Sequence, residues 1–310
     1  MTDSMTYSFP AYLSAKKSVD DRALNRHVWQ SLTGALPAAT QETPLRVLDV
    51  GAGTCVMLER MLEWGLLTEA AYTAIDADSE NIDAARESLP RWANEHGFDV
   101  SQDDVGCVRF GRGLQNVSVE LEAIDVFDFI EREQHRRNWD LLVAHAFLDL
   151  MNLETALPAL FKALGSGGLF YFTVNFDGAT IFEPEIDFQF DSLIERLYHR
   201  TADERRTEDL PSGDSRAGRH LFNHLRAANA EILDAGSSDW VVFAGPSGYP
   251  GNEAYFLHFI INTIYTALVG HPQLDSERFA RWIDERHRQV EQSTLTYIAH
   301  QLDFLGRVLT

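Results

Sequence analysis

Short apolar stretches alternate with amphipathic stretches between about residues 45 and 175. The apolar stretches are typical of strands buried on both faces, and the amphipathic stretches are typical of helices that cover such strands. This alternation predicts strand, helix, strand units and a mostly parallel sheet. The predicted strands are residues 45–50, 71–75, 105–110 with 117–124, 139–144 and 169–174.

The pattern changes on both sides of this region. Residues 18–21 have a capping-box pattern, and the apolar residues after them recur at helical spacing, which predicts a leading helix on the core. Residues 180–230 are rich in charge and predict an inserted helical and loop segment. After it, residues 231–243 have strand character, helices are predicted at 253–269 and 276–292, and residues 295–308 favour a closing strand.

Composition excludes several classes of protein. The chain has 310 residues, 45% of them hydrophobic, and a formal charge of −21, so it is expected to fold and to repel nucleic acid. Its two cysteines, Cys55 and Cys107, and the lack of a Cys/His cluster predict a reduced cytoplasmic protein without a metal site. No signal-peptide pattern or stretch of about 20 apolar residues is found, so we expect a soluble protein without a membrane partner.

A glycine-containing loop follows the first predicted strand, in the order Asp49, Val50, Gly51, Ala52, Gly53. Glycines at such a position let backbone amides approach a ligand at the positively polarised end of a helix. The loop departs from the G-x-G-x-x-G dinucleotide fingerprint, because Val56 stands at the third glycine. An acid before the loop repels a pyrophosphate and suits an ammonium group, which favours an aminoacyl nucleoside as ligand.

The loop carries a resemblance to a known family. The stretch LRVLDVGAGT at residues 45–54 resembles the first motif of class I S-adenosylmethionine-dependent methyltransferases, a D-x-G-x-G loop that cradles the methionyl moiety. The pair Ile75-Asp76, the stretch 123–127 (AIDVF) and the stretch 139–145 (WDLLVAH) resemble later motifs in order, and residues 164–168 resemble the turn into the fifth strand. Cys55 stands where many members of the family carry a third glycine.

The resemblance implies roles for particular residues. It implies that Asp76 accepts both ribose hydroxyls, that Asp125 binds the adenine amino group and that the amide of Val126 meets a ring nitrogen. The predicted cofactor-binding residues are Asp49, Gly51, Ala52, Gly53, Asp76, Ala77, Asp125, Val126 and His145.

The resemblance also implies a fold. The expected architecture is an α/β Rossmann-like sheet of seven strands in the order 3-2-1-4-5-7-6, with the seventh strand antiparallel, residues 231–243 as strand six and residues 295–308 as strand seven. Residues 1–44 would form a helical segment over the cofactor site. Residues 45–310 would form the methyltransferase domain, with cap insertions at about 180–230 and 253–292. A capped pocket favours a small-molecule acceptor, since macromolecular substrates generally need an open groove.

Methyl transfer from a sulfonium is an in-line displacement that requires mainly proximity and orientation. His145, at the carboxyl end of the fourth predicted strand, is the candidate catalytic base, and the alternative role is a hydrogen-bonding wall of the cofactor pocket. Asn175 and Phe176 follow the fifth strand and are candidates for the substrate pocket. Arg216 and Arg219 carry cations that could hold an acidic substrate.

The sequence therefore predicts a methyltransferase that uses S-adenosylmethionine, releases S-adenosylhomocysteine and methylates oxygen, nitrogen or carbon of a small molecule. The prediction leaves the oligomeric state open. A second hypothesis is a non-catalytic S-adenosylmethionine-binding or interaction protein with the same fold, because no catalytic motif is readable beyond the cofactor site. A third, a nicotinamide-dependent oxidoreductase, is disfavoured by Val56 and Asp49.

Overall fold

The computed structural model describes residues 7–103, 106–136, 138–207 and 210–309. Its helices are α1 (Phe9–Ala23), α2 (Arg26–Ala35), α3 (Val56–Glu63), α4 (Ser79–Glu95), α5 (Val126–Glu133), α6 (Leu153–Leu160), α7 (Phe188–Asp203), α8 (Ala217–Ala227), α9 (Glu253–Leu268) and α10 (Ser276–Glu291), with short 3-10 turns at Leu148–Leu150 and Phe161–Ala163. Its strands are β1 (Leu45–Val50), β2 (Glu69–Asp76), β3 (Asp99–Gln102), β4 (Val108–Arg112), β5 (Gln115–Ala123), β6 (Trp139–His145), β7 (Leu164–Val174), β8 (Thr180–Glu183), β9 (Arg206–Thr207), β10 (Leu210–Pro211), β11 (Ala230–Ser237), β12 (Trp240–Val242), β13 (Thr296–Ala299) and β14 (Leu302–Val308).

The main sheet has nine strands in the order β11-β14-β7-β6-β1-β2-β5-β4-β3. The five strands from β7 to β5 run parallel, and β14 runs antiparallel to both β7 and β11. The seven strands from β11 to β5 therefore have the order predicted for the Rossmann-like sheet, and this prediction is confirmed.

The expected number of strands was too low, because β4 and β3 extend the sheet antiparallel beyond β5. The candidate strand at 105–110 is β4, which begins at Val108. Val105 lies outside the described residues.

Both faces of the main sheet are covered by helices. On β6, Leu141 and Val143 pack into a hydrophobic cluster with α2, α3 and α4, whereas Leu142 and Ala144 pack into a second cluster with α5, α6 and α8. Strands buried on both faces are continuous apolar runs, and this is why the sequence pattern showed them clearly.

The predicted capping box at residues 18–21 is wrong, because Ser18 lies inside α1. Its hydroxyl donates a hydrogen bond to Glu253 of α9 at 2.8 Å, so it serves a tertiary contact. The helix α1 ends before Asn25, whose side chain accepts hydrogen bonds from the amides of His27 and Val28 at 3.1 Å. Asn25 therefore caps α2, and the leading helix is two helices.

The last two predicted strands each divide between two sheets. Residues 230–237 form β11 and pair with β14, whereas β12 leaves the main sheet and pairs with β13. The residues that follow β11 lie beside the residues that precede β14. There, Asp239 accepts a hydrogen bond from the amide of Gln301 at 3.2 Å, and its Oδ1 lies 2.7 Å from Nδ1 of His300. The result is a small antiparallel sheet of β12, β13 and β8.

A third hydrophobic cluster joins the small sheet to α1, α7, α9 and α10, with Trp240, Phe256 and Tyr297 among its members. α8 packs on the main sheet instead, although it falls within the 180–230 segment. We call α7, α9, α10 and the small sheet the upper cluster. In the described part of the chain, no helix is both long and apolar enough to cross a membrane.

The close contact of β14 with its neighbours yields a prediction about stability. A Cβ on Gly306 would lie 2.2 Å from Cζ of Phe170 and 2.4 Å from the carbonyl oxygen of Glu231. Gly306→Ala should therefore lower the free energy of unfolding by about 2 kcal/mol or more, since overpacking a buried site costs about 1–3 kcal/mol. Urea unfolding of the purified variant measures the change.

Gly34 in α2 is the matched control. A Cβ there would meet no atom within 4 Å, so Gly34→Ala should leave stability unchanged or raise it by up to about 1 kcal/mol. Equal effects at the two positions would contradict the packing described for β14.

Candidate active site

A cavity of about 610 Å³ opens at the carboxyl ends of β1, β2, β6 and β7. The chain goes from β1 to β2 on one side and later returns to β6 on the other side of β1. Such a reversal of strand order leaves a crevice between diverging loops. α1 and the upper cluster complete the wall, and the volume lies in the range that holds small ligands.

The loop after β1 takes the left-handed backbone that glycine permits, with φ of +63° at Gly51 and +55° at Gly53. Cys55 also has a φ of +64° and is fully buried, so this position has the backbone that favours glycine. The Gly53 amide donates to Oδ2 of Asp76 at 2.8 Å, and the Ala52 amide donates to the carbonyl of Ile75 at 3.0 Å. These two amides fix the loop to β2 and are not offered to a ligand.

Two side chains lie directly over the glycines. A Cβ on Gly51 would lie 2.3 Å from Cδ2 of Phe147, and one on Gly53 would lie 2.9 Å from Cδ1 of Leu13. The glycines thus make room for Phe147 and Leu13, and both of these side chains line the cavity. Phe147 was not among the predicted site residues, although its position two residues after β6 places it at the crevice.

Asp49 is fully buried in β1, and its two carboxylate oxygens differ. Oδ2 accepts a hydrogen bond from the hydroxyl of Tyr72 at 2.6 Å, whereas Oδ1 is buried with no partner among the described residues. Burial raises the pKa of Asp49 to about 7, against the effect of the Tyr72 hydrogen bond. Since Asp49 lines the cavity, its unpaired oxygen is available to a donor on a ligand.

Two further acids lie at the ends of neighbouring strands. Oδ1 of Asp76 accepts from the amide of Asp78 at 2.9 Å, and Oδ1 of Asp125 accepts from the amide of Phe127 at 2.8 Å to cap α5. Nδ2 of Asn81 also donates to Oδ1 of Asp76, at 3.3 Å. A carboxylate has about four acceptor positions, so both acids keep capacity for a ligand. Ala77 and Val126 line the cavity next to them. Within the described ranges, no group of three or more His, Cys, Asp or Glu side chains is placed to hold a metal ion.

His145 lies at the end of β6 in a cluster of polar side chains. Its Nε2 is 2.9 Å from Oδ2 of Asp20, and its Nδ1 contacts the hydroxyl of Thr173. Asp20 also accepts from Nζ of Lys16 at 2.5 Å and from Nε1 of Trp240 at 2.8 Å. Both ring nitrogens of His145 are therefore occupied by hydrogen bonds within the protein.

The protonation states of this cluster follow from burial and charge. Burial, and after it the charge of Lys16, lower the pKa of His145 to about 4. Burial opposes ionisation of Asp20, but Lys16 and His145 hold the pKa of this carboxyl below its usual range. Near neutral pH the imidazole of His145 is thus neutral. Because the carboxylate of Asp20 can only accept, Nε2 donates to Asp20 and Nδ1 accepts from Thr173, with Nζ of Lys16 also 3.3 Å from Nε2. This geometry favours a wall of the cavity over a free base.

The structure separates the four predicted substrate residues into two pairs. Asn175 and Phe176 line the cavity, and Nδ2 of Asn175 is buried with no partner among the described residues. Arg216 precedes α8, and Arg219 donates from its amide and from Nε to the carboxylate of Asp177, both at 2.9 Å. Neither arginine lines the cavity, and their contact with an acidic substrate stays a prediction.

The cavity wall also contains residues that the sequence analysis did not assign to a site. Tyr12 comes from α1, Tyr198 from α7 and Tyr297 from β13, and Asp149 follows β6. These side chains come from four distant segments of the chain, so no local sequence motif contains them. Only Asp149 gives a signal, because it closely follows a predicted strand.

Comparison with known proteins gives structural neighbours only. No protein-family model and no curated protein matches the chain. The chain is similar to the solved structures of the YcgJ protein from Bacillus subtilis (12% identity over 92% of this chain and 100% of that one, TM-score 0.44) and a SAM-dependent methyltransferase from Methanosarcina mazei (12%, 86% and 93%, 0.42). It is also similar to phosphoethanolamine N-methyltransferase 2 from Haemonchus contortus, solved with phosphomonomethylethanolamine and S-adenosylhomocysteine (11%, 98% and 58%, 0.46).

The sheet order, with its antiparallel β14, decides the architecture. The chain has the class I methyltransferase fold.

The environment of His145 yields a prediction about pH. Because its pKa is lowered from the usual 6.5 to about 4, the unfolded chain binds a proton between these values that the folded chain does not. The buried His145 therefore lowers the free energy of unfolding as the pH falls through this window, by at most about 1.4 kcal/mol per pH unit. As the pH is lowered from 7 to 5, the urea concentration at the unfolding midpoint of His145→Gln should rise relative to that of the wild type.

The same substitution at His135, which is exposed, is the control for the chemical change itself. If the free energies of unfolding of wild type and His145→Gln change in parallel between pH 7 and 5, the lowered pKa of His145 is contradicted.

Proposed function

We propose that the protein is an S-adenosylmethionine-dependent methyltransferase that acts on a small molecule by in-line methyl transfer. One observation carries this proposal: Asp49, Asp76 and Asp125 lie on or just after β1, β2 and β5, which are neighbours in the sheet. Their order along the cavity is the order of ammonium, ribose diol and adenine amino group along the cofactor.

The three acids fit the groups that they would meet. The unpaired Oδ1 of Asp49 lacks a donor, which an ammonium group supplies. Asp76 is fixed by the amides of Gly53 and Asp78, so its carboxylate is oriented before a diol arrives. Asp125 is likewise fixed as the cap of α5. Pre-oriented acceptors reduce the entropy that binding costs.

The bound cofactor would supply a methyl group on a sulfonium as the electrophile. The protein supplies orientation and a cavity wall that excludes water, with Trp240 and Ile260 among its apolar residues. His145 holds α1 in place through Asp20 and takes no proton in this scheme. Transfer then depends on how closely the cavity brings the acceptor to the methyl group.

We assign the covering of the cavity to two parts of the chain. α1, within the segment 1–44, contributes Tyr12 and Leu13 to the wall, and Leu13 lies over Gly53. The cap segments at about 180–230 and 253–292 contribute Tyr198 and Ile260. This enclosure is the feature that supports a small-molecule acceptor over a macromolecule.

The cytoplasm is the compartment that we propose. Cys55 and Cys107 are both free thiols in the structure, which fits a reducing environment.

Two measurements separate this function from its rivals. Calorimetric titration with S-adenosylmethionine, S-adenosylhomocysteine and NADH should show binding of the first two ligands only. Transfer of a labelled methyl group to a metabolite mixture should then distinguish an enzyme from a protein that only binds the cofactor. Binding of NADH without binding of S-adenosylmethionine would exclude the proposed function.

Asp76→Ala should weaken binding of S-adenosylhomocysteine strongly. Two charge-assisted hydrogen bonds at about 1.5 kcal/mol or more each would be lost, which corresponds to roughly 100-fold in affinity. Calorimetry measures the change. Asp83→Ala, an exposed acid of α4, is the control and should bind like the wild type. Unchanged affinity in Asp76→Ala would remove Asp76 from the site.

Asp125 should distinguish the adenine base of the cofactor from hypoxanthine. The wild type should bind S-adenosylhomocysteine more tightly than its inosine analogue, because a carboxylate accepts from an amino group and repels a carbonyl. Asp125→Asn should narrow this difference while keeping the cap of α5, since asparagine caps helices as well as aspartate. Competition binding measures both affinities. A difference that stays the same in the variant would show that Asp125 does not contact the base.

A further inference from the structure

The cavity contains a second set of side chains beyond the three cofactor acids. Its members are Asp149, Asn175, Tyr12, Tyr198 and Tyr297, and all of them line the same cavity. We call this set the acceptor group. Its chemistry indicates what kind of molecule the cavity accepts.

Asp149 supplies a carboxylate with one unpaired oxygen, although Arg205 and Lys16 lie close enough to interact with its charge. It lies in the short turn Leu148–Leu150 after β6, and its Oδ1 is buried with no hydrogen-bond partner among the described residues. Burial raises the pKa of Asp149, which is the mark of a carboxylate that has lost water without full compensation. A cationic donor on a ligand would remove this cost.

The three tyrosine rings add attraction for a cation. Tyr12 stacks on Phe259 with ring centroids 4.0 Å apart, and Tyr297 lies with its centroid 5.0 Å from that of Phe182. Tyr12, Tyr198 and Tyr297 are also close enough to Asp149 or to one another to interact electrostatically. Aromatic faces held rigidly around a small volume attract ammonium groups.

Asn175 adds a donor that has no partner. The residue is 8% exposed, and its Nδ2 faces no acceptor among the described residues. An oxygen on the ligand would satisfy this amide. The arginines that could have held an acidic ligand lie outside the cavity wall, where Arg219 is paired with Asp177. The acceptor group therefore suits a cation with a hydrogen-bonding oxygen and disfavours an anion.

We propose that the methyl acceptor is a small primary or secondary amine, held through its nitrogen by Asp149 among Tyr12, Tyr198 and Tyr297. This inference rests on the proposed function. The bound ammonium gives one proton to the carboxylate of Asp149, the nitrogen lone pair forms the new bond to the methyl carbon, and the bond from that carbon to sulfur breaks. The sulfonium becomes a thioether, and the product is the methylated ammonium.

The test uses the full-length protein saturated with S-adenosylhomocysteine. Calorimetric titrations compare butylamine with 1-butanol, and 2-phenylethylamine with 2-phenylethanol, so that each pair differs only in the nitrogen. The amine of at least one pair should bind about tenfold or more tightly than its alcohol, as expected for an ion pair inside an aromatic cavity. A second arm with S-adenosylmethionine identifies the methylated atom by mass spectrometry and should find nitrogen.

Variants assign the effect to the acceptor group. Asp149→Asn should weaken amine binding about tenfold or more and leave affinity for S-adenosylhomocysteine unchanged, which also reports that the fold is intact. Tyr198→Leu should weaken amine binding, and Tyr198→Phe should restore it because the ring is kept. Asp83→Asn is the control at an exposed acid.

Several outcomes would overturn the inference. These are equal binding of amine and alcohol, no amine binding at millimolar concentration, methylation on oxygen alone, or unchanged amine affinity in Asp149→Asn. Failure of the wild type to bind S-adenosylhomocysteine would instead count against the proposed function, so the two failures are distinguishable.

Discussion

One buried carboxylate joins the parts of the molecule that surround the cavity. Asp20 is 3% exposed and contacts Lys16 within α1, His145 of β6 and Trp240 of β12, with a guanidinium nitrogen of Arg60 in α3 at 4.0 Å. Breaking a buried ion pair by removing one partner costs about 3–5 kcal/mol. Moving α1 away from this position would therefore lower the stability of the folded protein. The wall that α1 and β12 provide depends on this contact, whereas burial and the charge of Lys16 keep His145 neutral against the effect of Asp20.

The main sheet was predictable because its strands are buried on both faces. Leu141 to Ala144 alternate between two hydrophobic clusters, so no polar residue interrupts the run. The order of the central strands came from the family resemblance. β3 was harder to identify, because its residues are mostly exposed and leave no apolar pattern. Sequence patterns thus find strands through burial, and a solvated edge strand has little of it.

The parts of the site that could be predicted are those in which the functional residue adjoins a strand end in one local motif. Asp49, Asp76 and Asp125 are of this kind, and all three line the cavity. Other features depend on contacts between distant segments. Arg219 looked available for a ligand because its partner Asp177 is 42 residues away. The tyrosines of the acceptor group, the role of Ser18 and the division of residues 231–243 between two sheets escaped prediction for the same reason.

In the proposed function, three neighbouring strand ends bind S-adenosylmethionine in one extended orientation. A crystal structure of the protein with S-adenosylhomocysteine tests this most directly. We expect the ligand amine within hydrogen-bond distance of Oδ1 of Asp49, the ribose hydroxyls on Asp76 and the adenine amino group on Asp125. A ligand bound in the reverse direction, or outside this cavity, would contradict it.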